Sequence, residues 1–181
     1  MFSLFRLLPV LLLTGCAQVP QLLERETPAP VNEHSPGVSI TQDKPPRLAA
    51  LTYYTGTAYH RERASACAEK LIQPDTAGEP VIRFTGRDML NAAGMVSNTT
   101  RLYGMLPVRD RIRFELTLLE KVSGTTYGFR RIELSRFDRL GLNSHGFSAL
   151  PPSGSKTQQV YQRLQQLYRE MDHCIQGETA P

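Results

Sequence analysis

The sequence predicts an α+β fold in which an antiparallel sheet of about four strands packs against two main helices. The clearest strand signal lies in residues 108–122, where apolar and polar side chains alternate with a period of two. The apolar positions of this strand are Ile112, Phe114, Leu116 and Leu118. Such alternation is typical of a strand with one buried face and one solvated face.

Two segments carry the helical signal, with apolar residues spaced three and four apart. Residues 58–72 form the first, with Pro74 and Gly78 beyond it as stop signals. Its stripe is Ala64, Cys67, Ala68 and Leu71. The second begins at Ser155, where Ser155-Lys156-Thr157-Gln158 fits a capping box. Its stripe is Val160, Leu164, Leu167, Met171 and Cys174.

The remaining segments give weaker signals. Residues 81–85 and 126–137 indicate strands, and the phase of alternation shifts near Arg130-Arg131, which predicts a β-bulge there. Residues 99–106 also suit a strand. Residues 87–95 suggest a helical turn, and the Gly-, Ser- and Pro-rich residues 138–154 a loop. Residues 47–56 suit either a strand or a helix, and we favour the helix.

The leader contains the most specific motif in the chain. Arg6 precedes an apolar run from Leu7 to Leu13, which is too short for a membrane span. Leu13-Thr14-Gly15-Cys16 then resembles the lipobox of bacterial lipoproteins. The resemblance implies that Cys16 is acylated and becomes the mature N-terminus. The alternative is an ordinary signal peptide that contains a cysteine by chance.

This resemblance implies an organisation for the whole chain. We expect a lipoprotein signal peptide at 1–15 and a lipidated N-terminus with a tether at 16–47, where six prolines and few large apolar residues disfavour a packed core. A single periplasmic α+β domain should occupy 48–176, followed by a disordered tail at 177–181. Ala17, rather than Asp, follows Cys16, which in the family implies an anchor on the periplasmic face of the outer membrane.

The chain has three cysteines. With Cys16 assigned to lipid, Cys67 and Cys174 remain as a pair in an oxidising compartment. Both fall on the apolar stripes of the two predicted helices, which places them well to meet. We therefore predict a Cys67–Cys174 disulfide; the alternative is two free buried thiols.

Arginine accounts for most of the basic residues, and the formal net charge is +4. Arg109, Arg111 and Arg113 recur at every second residue, so a strand places all three on one face. The candidate face for an anionic ligand is Arg101, Arg109, Arg111, Arg113 and Arg131, with Arg130 and Arg136 as possible extensions. The alternative is a solvated sheet face on which Glu115 and Glu133 pair with arginines across strands.

The sequence contains no recognisable catalytic or metal motif, so we expect no enzyme, no cofactor and no metal. It has no H-E-x-x-H and no C-x-x-C, and His60 and His173 suit solvated helix positions. Ser148 lies in Gly146-Phe147-Ser148, which lacks the second glycine of a nucleophile elbow. Several carboxylates, including Asp110 and Asp138, suit exposed strand or turn positions. A domain outside the cytoplasm also makes nucleic acid an unsuitable partner.

One further resemblance concerns the hairpin from Arg111 to Leu134. Its alternating strand, its turn at Ser123-Gly124 and its return strand are similar to a hairpin in the accessory lipoproteins of curli secretion and of penicillin-binding-protein activation. The resemblance implies a non-catalytic role. We therefore expect an accessory in envelope assembly, secretion or transport that acts through a protein partner. The alternative is a binding module for an anionic glycan or lipid.

Overall fold

The computed structural model describes residue 32 and residues 34–102 and 106–177. Two helices and a seven-stranded sheet make up the described chain. In chain order they are β1 (Val38–Ile40), β2 (Leu48–Thr55), α1 (Arg61–Leu71), β3 (Ile82–Thr85), β4 (Met89–Leu102), β5 (Leu106–Lys121), β6 (Gly124–Asp138), β7 (His145–Ala149) and α2 (Ser155–Gln176). Neither helix is long and apolar enough to cross a membrane.

All strand pairs of the sheet are antiparallel, in the order β1-β2-β6-β5-β4-β3. The long strand β6 has two partners on one side, because β2 pairs with its residues 125–130 and β7 with its residues 133–136. The Leu48 amide donates to the Leu150 carbonyl at 2.9 Å, which joins the start of β2 to the end of β7. β1 lies within the segment predicted as a tether, so the sheet begins upstream of residue 48.

Both helices pack on the same face of the sheet. Leu164 and Leu167 of α2 are fully buried in a core with Leu116, Leu118 and Phe129 of the central strands. The predicted stripe of α2 is confirmed, since its first four residues are buried and Cys174 is partly buried. A disulfide joins Cys67 of α1 to Cys174 of α2, with 6.0 Å between the Cα atoms, as predicted.

The central hairpin follows the predicted alternation, and the predicted bulge is present. Glu115 of β5 lies opposite Arg130 and Arg113 opposite Glu133, so two residues of β6, Arg131 and Ile132, lie against Phe114 alone. Arg131 adopts a φ of 50°, a left-handed conformation that costs a non-glycine residue about 1–2 kcal/mol. The bulge keeps Ile132 and Leu134 on the buried face.

The prediction of about four strands was wrong, because several strands lack a strong apolar alternation. Residues 47–56 form β2 rather than a helix: Leu51 and Tyr53 face α2, and Thr52 and Tyr54 face the other way. In the segment 87–95, predicted as a helical turn, residues 89–95 belong to β4. This part of β4 has small residues because the backbone of Gln73 pairs with Met95 directly beside Gly94. The small residues hide the alternation that would have indicated a strand.

Two smaller predictions were also wrong. The segment predicted as a loop at 138–154 contains β7, a five-residue strand that pairs with β6. The capping box is absent, because α2 begins at Ser155 with Gly154 as its N-cap and no side-chain cap. The Thr157 hydroxyl instead donates to the Pro151 carbonyl at 2.9 Å.

Asp110 and Asp138 are buried, contrary to the prediction of exposed positions. Arg136 is also buried, on the helix-covered face, so it does not extend the arginine patch. Its guanidinium donates to both carboxylate oxygens of Asp110, each at 2.7 Å, and to the Gln159 side chain at 3.3 Å. Cross-strand register brings these residues together, because Asp110 lies directly opposite Arg136.

Candidate functional site

The sheet face opposite the helices, here called the open face, carries a groove of about 960 Å³. The groove runs across β4, β5 and β6 and is bordered by the segment before β2, the α1–β3 connection and the end of β7. Its charged lining residues are Arg47, Asp75, Arg83, Arg113, Glu115, Arg130, Arg131 and Glu133. Five arginines thus outnumber three carboxylates, and the lining has an excess of positive charge.

Arg113 lies at the centre of the groove. Its guanidinium pairs with the Glu133 carboxylate on the neighbouring strand and with Asp75 at 3.2 Å. It also lies over the Phe147 ring, 4.2 Å from the ring centroid. The hydrogen bonds that Arg113 donates to Glu133 raise the pKa of Arg113 above its ordinary value, and the hydrogen bond to Asp75 acts in the same direction. Arg113 is therefore held in place by three neighbours and has little freedom to move toward a ligand.

The bulge places two consecutive arginines at the groove. Arg131 is largely exposed and pairs with Glu115 at 2.8 Å. Arg130, also exposed, forms no ion pair or side-chain hydrogen bond with any described residue. A guanidinium offers five N–H donors in a planar fork that matches a carboxylate or phosphate. Arg130 is thus the lining cation best able to accept an external anion.

The two remaining arginines lie at the rim. Arg47 pairs with Asp43 at 2.6 Å, and Arg83 pairs with Glu79 at 2.5 Å. Both pairs are between residues four apart and are about half exposed, so each contributes little to stability. A ligand in the groove can therefore recruit either guanidinium at small cost.

The structure brings some of the predicted arginines together and separates others. Arg113 and Arg131 line the groove, and Arg109 and Arg111 lie on the same open face further along β5. Arg101 lies further out on β4, where it is exposed opposite Pro107. The predicted lipidation site Cys16 and the lipobox lie outside the described residues.

Several residues of the groove were missed at the level of sequence. Asp75, Arg47 and Arg83 come from connections and from an edge strand, and Phe147 from the segment predicted as a loop. Asp75 is 38 residues from Arg113 in the chain, and no periodic pattern relates the two. The sequence signals for this site were the alternation of β5, which identified Arg113 and Glu115, and the neighbouring strand β6, which contributed Arg130, Arg131 and Glu133.

The described residues contain no cluster of three or more His, Cys, Asp or Glu side chains able to hold a metal ion.

His145 contacts the Gly146 carbonyl through Nδ1 and the Lys156 amine through Nε2. The side chains that line the groove carry both signs of charge. Comparisons with protein-family models, with curated proteins and with solved structures gave no match to this chain.

Proposed function

We propose that this chain is an outer-membrane-anchored periplasmic lipoprotein that acts without catalysis, as an accessory in envelope assembly, secretion or transport. In this proposal the groove holds a protein partner. The observation that carries it is the open face itself, where a groove of about 960 Å³ with charges of both signs lies on the sheet. The lipobox resemblance supports the location, and the disulfide is typical of an oxidising compartment.

The chemistry of the groove suits a polypeptide. Ala93 on the floor of the groove and Ala149 at its border have small side chains, so a chain can approach the sheet closely. Thr117 and Asn91 add a hydrogen-bonded polar pair, joined at 2.9 Å. Arginines and carboxylates both line the groove, which favours a partner that carries both charges over a purely anionic polymer.

Site-specific photocrosslinking in intact cells tests the partner. A photoreactive residue placed at Ala93 or Ala149 reports on the groove, and one at the exposed Gln162 of α2 is the matched control. We expect a discrete adduct from the groove positions, identified by mass spectrometry, that is absent from the control and weakened by Arg130→Glu. Identical adducts from groove and control positions would contradict the proposal.

The anchor requires a separate experiment. Mass spectrometry of the mature protein should show an acylated N-terminal cysteine, and Cys16→Ala should remove the acyl chains. The variant should also no longer co-purify with outer membranes as a mature, processed protein. Acylation that persists in Cys16→Ala would exclude the lipobox assignment.

A second candidate function is the binding of an anionic glycan or of a single anionic lipid molecule. The unpaired Arg130 and the excess of positive charge in the groove favour it. Calorimetric titration with muramyl peptides and with short-chain phosphatidylglycerol tests this function. We expect Arg130→Gln to weaken binding about tenfold, while Arg61→Gln on α1 leaves it unchanged. Equal binding by both variants would count against a role for the groove.

A further inference from the structure

The end of the domain farthest from the β5–β6 turn, here called the basic end, carries exposed charges of one sign. It comprises residues 99–101, 107–111 and 135–156, with the β6–β7 loop at its tip. Its exposed cations are Arg101, Arg109, Arg111, Arg139 and Lys156. Its two carboxylates, Asp110 and Asp138, are only 2% and 6% exposed, so neither offsets the surface charge. A surface of this kind attracts anions over a distance of about a Debye length.

Exposed apolar side chains lie among these cations. Leu140 is 60% exposed and Leu142 is 73% exposed, both in the β6–β7 loop. Phe137, also exposed, lies directly opposite Arg109 on the open face. Three of the six exposed large hydrophobic residues of the described chain therefore fall within six positions. Clustered exposure of this kind marks an interaction surface.

The loop is held in one shape by a buried carboxylate. Asp138 accepts hydrogen bonds from the backbone amides of Leu140 at 2.9 Å, Leu142 at 3.2 Å and Asn143 at 2.6 Å. These bonds lower the pKa of Asp138, with the Asn143 amide as the largest cause, so the carboxylate is charged at neutral pH. The two leucines are thus presented on a preformed loop, which reduces the entropy that binding must overcome.

We propose that the basic end docks onto the surface of a bilayer that contains anionic lipid. Leu140 and Leu142 enter the boundary between headgroups and acyl chains, and Arg109 and Arg139 contact phosphate groups. This combination of apolar and cationic groups is the one that interfacial membrane binding requires. Neither guanidinium has an ion pair among the described residues, so docking breaks no internal contact. The basic end adjoins the groove at Ala149, but its two leucines, Arg109 and Arg139 do not line the groove.

Docking would also orient the domain. The 21 residues numbered 17–37 span at most about 70 Å, longer than the roughly 53 Å of the 16-residue strand β5. An anchor at Cys16 therefore leaves every side of the domain able to reach the membrane. Docking by the basic end instead lays the β6–β7 loop against the bilayer and directs the β5–β6 turn away from it.

A fluorescent reporter tests the proposal, because the chain contains no tryptophan. Leu142→Trp places one indole in the loop, and Val122→Trp places one in the fully exposed β5–β6 turn as the control. Each full-length variant is reconstituted with phosphatidylglycerol vesicles or with neutral phosphatidylcholine vesicles. Both variants carry the same N-terminus, so an anchor contributes equally to both.

We expect Leu142→Trp emission to move to shorter wavelength, and to be quenched by brominated acyl chains, in phosphatidylglycerol vesicles only. Val122→Trp should show neither effect. Identical spectra from the two variants, or an equal shift in neutral vesicles, would overturn the proposal. A shift that appears without vesicles and grows with protein concentration would also overturn it, since a second copy then covers the loop.

Charge variants measure the electrostatic contribution to docking of the basic end on the bilayer. In the Leu142→Trp background, replacing Arg109 and Arg139 together with Gln should lower the ratio of docked to undocked domain about 30-fold, at about fivefold per cation. Replacing Arg87 and Lys121 with Gln, at the opposite end, should leave the ratio unchanged. An equal effect of the two pairs would show that only net charge matters and would refute a docked orientation.

Discussion

The buried ion pair between Asp110 and Arg136 gives the sharpest prediction for the stability of the domain. The two side chains are 3% and 8% exposed and are joined by two parallel hydrogen bonds of 2.7 Å. Asp110→Asn keeps the size of the side chain but removes its negative charge. Arg136 stays protonated, because guanidinium groups do not lose their proton in proteins, and its remaining acceptors are neutral: the amide oxygen of the new side chain and the Gln159 side chain at 3.3 Å.

The expected cost follows from leaving a charge inside the domain without its partner. Breaking a buried ion pair by removing one member destabilises a protein by about 3–5 kcal/mol. The Arg131–Glu115 pair joins the same two strands, but Arg131 is 80% exposed there. An exposed pair contributes about 0–1 kcal/mol, so Glu115→Gln is the matched control with a small expected effect.

Urea unfolding of the oxidised protein, followed by circular dichroism, measures both variants as free energies of unfolding. A third variant, Asp110→Leu with Arg136→Met, removes both charges and should be at least as stable as the original, to within about 1 kcal/mol. If Asp110→Asn lowers the free energy of unfolding no more than Glu115→Gln does, the Arg136 guanidinium is in contact with solvent or with another acceptor. The assignment of a buried pair would then be wrong.

Four other results are expected. Reduction of the disulfide, which spans 107 residues, should lower the free energy of unfolding by about 5 kcal/mol in the chain-entropy model, measured by urea unfolding with and without reductant. Gly94→Ala should cost about 1–3 kcal/mol, because its Cβ would lie 2.3 Å from a backbone oxygen, whereas Gly146→Ala has open space and should cost far less. Tyr53→Phe should leave stability unchanged or raise it by about 1 kcal/mol, since this buried hydroxyl has no hydrogen-bond partner among the described residues. The lowered pKa of Asp138 means that its carboxylate stabilises the fold above its ordinary value of 3.8, and this contribution is lost as the pH falls through the folded pKa. The stability difference between the original protein and Asp138→Asn should therefore shrink between pH 7 and pH 3.

The elements that the sequence predicted are those with a long, unbroken period. Burial alternates along β5 from residue 107 to residue 119, and the stripe of α2 extends over most of its 22 residues. In such segments burial alone determines the side-chain pattern. The bulge was predictable for the same reason. The apolar positions of β6 change from odd to even numbers, and one extra residue is needed there to keep Ile132 on the buried face.

The elements that were missed depend on contacts between distant parts of the chain. β2 is short, and Leu48, Leu51 and Thr55 match a helical stripe as well as Leu51 and Tyr53 match a strand, so only pairing with β6 decides between them. The small residues of β4 reflect the close approach of the Gln73 backbone rather than any local preference. The groove was predictable only in part, because its carboxylates and rim arginines come from five separate segments.

The distribution of charge in the fold explains why the composition alone does not reveal the positive charge of the basic end. A net charge of +4 in 181 residues is mild, and Arg109-Asp110-Arg111 carries one acid between two bases. Alternation along β5 separates them, because it turns Asp110 inward to Arg136 and both arginines outward. At the end of β6, Asp138 is likewise taken up by backbone amides while Arg139 stays exposed. At this end of the domain both carboxylates are thus bound inside, while Arg109, Arg111 and Arg139 remain on the surface, so a nearly balanced sequence folds into a cationic end.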